Sequence, residues 1–184
     1  MQNIGEEIAG EYLKVVLGCD FVEYNLHTPD VQGEIDVVGI NAKEKMLFIC
    51  EVATHLTTGL QYVNAKANQP NNVDKFCAKI RKNIEYANKY FPDYIKRFML
   101  WSPIVKNQGS KAKHNQLNDV KIIQITLFNE YSVNVEAVIN HEYAKCLSEL
   151  REYARKETKE LKSPVLRFLQ IEEKLSKHLK CLKA

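Results

Sequence analysis

No apolar stretch in this chain approaches the roughly 18 residues that a membrane-crossing helix needs. The opening run MQNIGEEIAGEYL carries acids where a secretory leader needs basic and then apolar residues, so neither a leader nor a membrane segment is expected. The five cysteines (Cys19, Cys50, Cys77, Cys146 and Cys181) are odd in number and scattered, with no CxxC pair. That excludes a disulfide framework and a zinc site as expectations, and a reducing cytoplasm is the compartment that fits. Glycine-rich phosphate loops, HxxxH pairs and GxSxG elbows are missing as well, which leaves nucleotide hydrolysis, zinc proteolysis and serine hydrolase chemistry without a foothold. An excess of one charge is also lacking: 26 Lys and Arg against 23 Asp and Glu leave a formal +3, too little by itself to argue for nucleic acid.

What is present is an ordinary globular composition, 184 residues with 45% hydrophobic and 27% charged, enough for a core without staples. Ile8, Tyr12, Leu13 and Val16 fall at helical spacing and predict a helix over 4–16, with Gly18 as its stop. Phe21 to His27 reads as a strand, followed by a turn at Pro29 and Asp30. The β-branched VQGEIDVVGI and then MLFICEVAT, separated by the polar NAKEK, read as a hairpin. Val73, Phe76, Ile80, Ile84 and Ala87 predict an amphipathic helix from Asn72 to about Tyr90, with Lys75, Lys79 and Lys82 in a stripe beside its apolar face. Arg97 to Trp101 and Val120 to Leu127 read as two further strands around a polar loop. Val135, Val138, Ile139, Tyr143, Leu147 and Leu150 read as a helix, and Ser163 with Pro164 opens a final one. The expectation is an α/β core with a mixed sheet over residues 1–130 and a helical C-terminal extension over 131–184.

The hairpin carries the chemistry. A short loop centred between Lys43 and Glu44 sets Asp36 opposite Glu51, with Glu34 and Ala53 on the same face and Val37, Cys50 and Val52 on the other. Like charges about 4.5–5.5 Å apart on one face are destabilising unless something compensates. A divalent cation would do so: Mg²⁺ (or Mn²⁺) takes hard oxygen ligands from one or two carboxylates and leaves the remaining positions to water or phosphate. The other reading is two acids on a solvated strand face.

The strings GEEIAGEYL, QGEIDVVGI and LFICEVATH, in that order, resemble the PD-(D/E)XK nuclease superfamily, in particular its small Holliday-junction-resolvase-like branch, whose pattern runs GExxAxxYL, GEIDLI, FVEVKTR. The likeness covers roughly Ile4 to His55. It implies a restriction-endonuclease-like αβββαβ core and a metal held by Asp36 and Glu51, with Glu6 completing the site and the Val52 carbonyl as a further ligand. Glu34 matches the glutamate before the aspartate. Where the pattern has a lysine two residues after the glutamate, this chain has Ala53. A lysine there would position water and stabilise transition-state charge, and alanine does neither. Relocation to Lys75, or else to Lys66, would restore a cation; His55 is a possible accessory group.

Lys75, Lys79, Arg81 and Lys82, with Lys106, Lys111, Lys113 and His114 in the later loop, place basic groups on both sides of this site, where they could contact DNA phosphates. Phe168, Ile171, Leu175, Leu179 and Leu182 form an apolar stripe that either packs on its own domain or makes a homodimer seam. Two functional expectations follow: a metal-dependent DNA endonuclease acting in restriction, repair or junction processing, or a nuclease-fold protein that has lost catalysis and binds DNA or a partner protein.

Overall fold

The computed structural model describes residues 3–28, 33–60, 63–64, 69–107 and 115–182, with backbone alone at 63–64 and 69–70. Helix α1 (Ile4–Val15) starts at an Asn3 cap, whose side chain accepts the Gly5 and Glu6 amides at 2.9 and 3.0 Å while Glu6 accepts the Asn3 amide at 3.1 Å. Strands β1 (Phe21–His27), β2 (Glu34–Asn41) and β3 (Met46–Val52) form an antiparallel meander. The two-residue strands β4 (Val63–Asn64) and β5 (Gln69–Pro70) pair with each other. Helix α2 (Asn72–Tyr90) then leads into β6 (Ile95–Ser102), which runs parallel to β3.

From here the chain departs from the sequence expectation twice. Val120 to Leu127, expected as a strand, lies within helix α3 (Gln116–Tyr131). Its β-branched run misleads because only Val120, Ile123 and Leu127, one helical row, are buried, while Ile122 and Ile125 face outward. Val135 to Ile139, expected to begin a helix, is strand β7, parallel to β6. The helix α4 (Asn140–Lys156) begins only at Asn140, which stands at φ +49° and whose amide bonds both the N–H and the C=O of Val105 at 2.9 Å. The 3- and 4-residue spacings that join Val135 to Leu150 thus straddle a strand–helix junction. The segment after 130 supplies a sheet strand before its helices, and α5 (Pro164–Leu182) completes it.

The resulting mixed five-stranded sheet has the order β1-β2-β3-β6-β7. Its central β3 is buried on both faces, as an interior strand flanked by helices on both sides must be. Helices α2 and α3 cover one face through Phe76, Ile80, Ile84, Ile123 and Leu127, packed on Val38, Leu47 and Ile49. Helices α1 and α4 cover the other through Ala9, Leu13, Tyr143 and Cys146, packed on Val37, Phe48 and Trp101. A third cluster joins Leu150 and Ala154 of α4 to Val165, Leu166 and Leu169 of α5. One close approach fixes the entry of α1: a Cβ on Gly5 would lie 1.9 Å from Thr54 Cγ2, so glycine lets the helix start press against the end of β3. Among the described residues no helix is long and apolar enough to cross a membrane, and the five cysteines are unpaired, with only Cys181 exposed.

Candidate functional site

The β2–β3 ladder pairs Val37 with Cys50 and Val38 with Ile49, the expected register, so Asp36 and Glu51 come next along the two strands. Both carboxyls are buried, Asp36 to 7% exposure and Glu51 to 1%. They lie on the face covered by α2, where Val38 and Ile49 meet Phe76 and Ile80. Asp36 reaches over the end of the ladder, and its Oδ2 accepts the Val52 amide at 2.7 Å.

A cation completes the pair, and it comes from the helix above. Lys79 Nζ lies 2.5 Å from Glu51 Oε2 and 3.5 Å from Asp36 Oδ1. One turn further along α2, Asn83 Nδ2 donates to Glu51 Oε1 at 2.8 Å. Residues four apart share a helix face, so α2 presents Lys79 and Asn83 together while Phe76, Ile80 and Ile84 anchor it to the sheet. Each of the four carboxylate oxygens therefore has a donor. Burial, and then the charge of Asp36, raise the Glu51 pKa to about 7, with Lys79 and Asn83 pulling the other way. A carboxyl poised near neutrality beside a second carboxyl and a lysine is a recurrent mark of a functional site.

Beside this group opens a cleft of about 220 Å³. Lys75, Lys79 and Lys82 line its α2 side, and Thr28, Ile35 and Tyr86 contribute to the rest. The Thr28 hydroxyl is buried there without a hydrogen-bond partner. The cleft is thus basic along one wall, partly apolar, and open to the two acids through Glu51.

The remaining sequence candidates separate clearly. Lys75 shares the cleft, but the lysine in contact with both carboxylates is Lys79, which had been expected only as a phosphate contact. Glu6 is occupied by the Asn3 cap and by Asn25, whose Nδ2 donates to it at 3.3 Å, and it stands on α1, which covers the sheet face opposite to α2, so the structure does not bring it to the pair as a third ligand. Among the described residues no three acid, histidine or cysteine side chains converge as a metal-ligating group. Val52 meets Asp36 through its amide. Glu34 is exposed at the cleft edge, with His27 Nε2 at 3.9 Å. His55 is exposed on the turn after β3, and its carbonyl accepts the Gly59 amide. Arg81 points to α3, bound at 2.7 Å through two nitrogens to Glu130. Lys106 donates to the Thr57 carbonyl at 2.6 Å. Lys66, Lys111, Lys113 and His114 lie outside the described residues.

Ala53 is buried among Ile49, Leu60 and Phe76, so the position where the resemblance expects a lysine is part of the core. Asn83 and Thr28 had not been singled out. For Asn83 a signal existed: it is a polar residue in the buried row Phe76, Ile80, Asn83, Ala87. No family model matches the chain, and neither a curated protein nor a solved structure matches it.

Proposed function

We propose that this chain is a divalent-metal-dependent DNA endonuclease of the PD-(D/E)XK kind in which the motif lysine is supplied by α2 as Lys79. The observation that carries the reading is the contact of Lys79 Nζ with both Asp36 and Glu51. The two hard-oxygen groups suit Mg²⁺ or Mn²⁺, which are commonly held by one or two carboxylates with waters elsewhere. Asp36 and Glu51 would hold the ion, and crowding of their like charges is what a dication relieves. When bound, such an ion supplies Lewis acidity and an acidified water.

The chain's own groups account for the rest. Lys79 is one-third exposed on a flexible stem, so its ammonium can turn from the carboxylates to a phosphate oxygen in the same cleft. There it would offset charge that builds as water adds to phosphorus and one P–O ester bond breaks, leaving a phosphate monoester and a hydroxyl. Lys75 and Lys82 flank that position and suit neighbouring phosphates, which give affinity without sequence preference. The orphan Thr28 hydroxyl offers one further hydrogen bond to a ligand in the cleft.

One observation favours the second reading, a nuclease-fold module without catalysis: Lys79, Asn83 and the Val52 amide already satisfy all four carboxylate oxygens. The two readings part in a cleavage assay on supercoiled plasmid and a synthetic four-way junction with Mg²⁺ or Mn²⁺. Cutting that is lost in Asp36→Ala and Lys79→Ala but retained in Lys75→Ala supports the first reading. Salt-sensitive DNA binding without cutting by either metal supports the second. Absence of both overturns the proposal.

A further inference from the structure

The α2 residues along the cleft fall in one row. Lys75, Lys79, Lys82 and Tyr86 follow at intervals of four, three and four, which at a rise of about 1.5 Å per residue sets the lysines roughly 4.5–6 Å apart along the axis and puts Tyr86 at the end of the basic wall. Tyr86 is half-buried and backed by other rings: its centroid lies 4.9 Å from that of Tyr90 and 6.1 Å from that of Phe91, and Phe91 meets Tyr94 edge-on at 5.5 Å. One turn further the pairing of lysine with ring repeats, with Lys89 Nζ 5.0 Å from the centroid of Tyr90, which is 42% exposed. On the strand side the rim carries Glu34, whose charge repels phosphate and leaves the lysine wall as the path for a polyanion.

We infer that the cleft takes an unpaired DNA strand, with phosphates along Lys75, Lys79 and Lys82 and a base against Tyr86, so that single-stranded DNA, not intact duplex, is the substrate class of this site. The inference rests on the reading of Asp36 and Glu51 as a site that handles DNA. Chemistry is the first argument. A basic groove that tracks the backbone, joined to aromatic rings on which bases stack, is how proteins hold single strands without regard to sequence. A duplex keeps its bases in its own stack and offers such a ring no partner.

Depth is the second. Glu51 is 1% exposed and Asp36 7%, so a phosphate must enter the cleft to come near them. A duplex is stiff, with a persistence length of about 50 nm, and carries its phosphates on the outside of a rod, whereas a single strand bends into a recess at little cost. Size is the third: about 220 Å³ lies below the roughly 300–1,000 Å³ of pockets for drug-sized molecules, room for one nucleotide unit and not for a base pair. Inside, Ile35 and Ala78 give the base apolar contact beside Tyr86, and the Thr28 hydroxyl, buried without a partner, meets a base edge either as donor or as acceptor, which suits a site that tolerates any sequence.

The test is fluorescence anisotropy of the full chain in EDTA, where nothing is cut, on three probes of about 20 nucleotides: oligothymidylate, the same backbone with abasic sugars throughout, and a blunt duplex. Oligothymidylate should bind at least tenfold more tightly than the duplex, and loss of its bases should weaken binding on the order of tenfold. Tyr86→Phe should behave as wild type. Tyr86→Leu, which keeps apolar packing against Phe91, should lose the same factor on oligothymidylate, lose little more on the abasic strand, and keep the wild-type salt slope because the lysines remain. The comparison of base-bearing and abasic strands needs only the wild type, so it decides even where a variant folds poorly. With Mn²⁺, circular single-stranded DNA should be cut faster than a relaxed duplex circle. Equal or tighter binding of the duplex, or equal binding of the abasic strand by wild type, overturns the inference, and cutting of the duplex would then leave the endonuclease reading standing. Base-dependent binding of the single strand without cutting of any DNA supports the inference and overturns the endonuclease reading instead. Binding of none of the probes overturns both.

Discussion

Replacing Glu51 by glutamine should stabilise the folded protein while abolishing its proposed activity. In the folded state the Glu51 pKa rises from 4.5 to about 7, chiefly through burial. Between those pH values the folded protein retains a proton that the unfolded chain has released, so the contribution of this group is full below the unfolded value and is lost as pH rises through the folded one. At about 1.4 kcal/mol per tenfold change, the ionised side chain costs the fold on the order of 3 kcal/mol above pH 7. Glutamine has the same shape, has no charge to desolvate, and can accept from Lys79 through Oε1 while its Nε2 donates to Asn83 Oδ1 once the Asn83 amide, which donates to Glu51 in the wild type, turns over. The expected gain at pH 8 is about 2–3 kcal/mol, or roughly 5–10 °C in melting temperature for a chain of this size. The assay is urea unfolding of wild type and Glu51→Gln at half-unit steps from pH 4.5 to 8. Wild-type stability should fall relative to the variant across that window, and the two should converge at its acid end. A variant less stable than wild type at pH 8, or parallel pH profiles, would refute the reasoning, because Glu51 would then be held by its partners more strongly than burial opposes it.

Lys79→Met removes the counter-charge from two buried carboxylates and should cost about 2–3 kcal/mol at pH 8, a loss that shrinks towards pH 5 as Glu51 takes up a proton; chemical denaturation at the two pH values checks it. Gly5→Ala drives a methyl group into Thr54 and should destabilise by about 1–3 kcal/mol, read from the melting temperature, although alanine is the better helix former. For DNA binding, Lys75→Ala and Lys82→Ala should each lower the slope of log affinity against log salt by about 1, whereas Arg81→Ala should leave it unchanged because Glu130 already holds that guanidinium; titrations at four salt concentrations separate the cases.

The parts of the fold legible in the sequence are those where local chemistry and tertiary placement agree. Asp36 and Glu51 could be set opposite each other because a short polar loop fixes the hairpin register and the side-chain period of a strand is two. The stretch from Asn72 to Tyr90 could be read because its apolar row is clean. The reading failed where apolar residues exceed what the core uses. In α3, Ile122, Ile125 and Phe128 are exposed, so hydrophobicity has little helical period and β-branched composition points the wrong way. In β7 the spacing fits a helix, and the deciding fact is the open edge of β6, a partner that no local pattern announces. The lysine that meets the two carboxylates is the same kind of case. Nothing in the sequence ranks Lys79 above Lys75, because the choice depends on how α2 is rotated over β3.

That dependence changes what the site requires. A lysine two residues after the glutamate is aimed by the strand itself, whereas Lys79 is aimed by the docking of α2 through Phe76, Ile80 and Ile84. Asn83 pins the same helix to the carboxylate that Lys79 neutralises, so packing and electrostatics set one geometry together. Lys75 and Lys82 ride on the same rigid element, which fixes the basic wall of the cleft relative to the acids. Burying Glu51 strains the fold, and α2 supplies both the donors that contain the strain and the apolar row that offsets it. The position left to Ala53 fits this arrangement: there the chain places a small core residue under α2, and close docking of the helix brings the cation in from above.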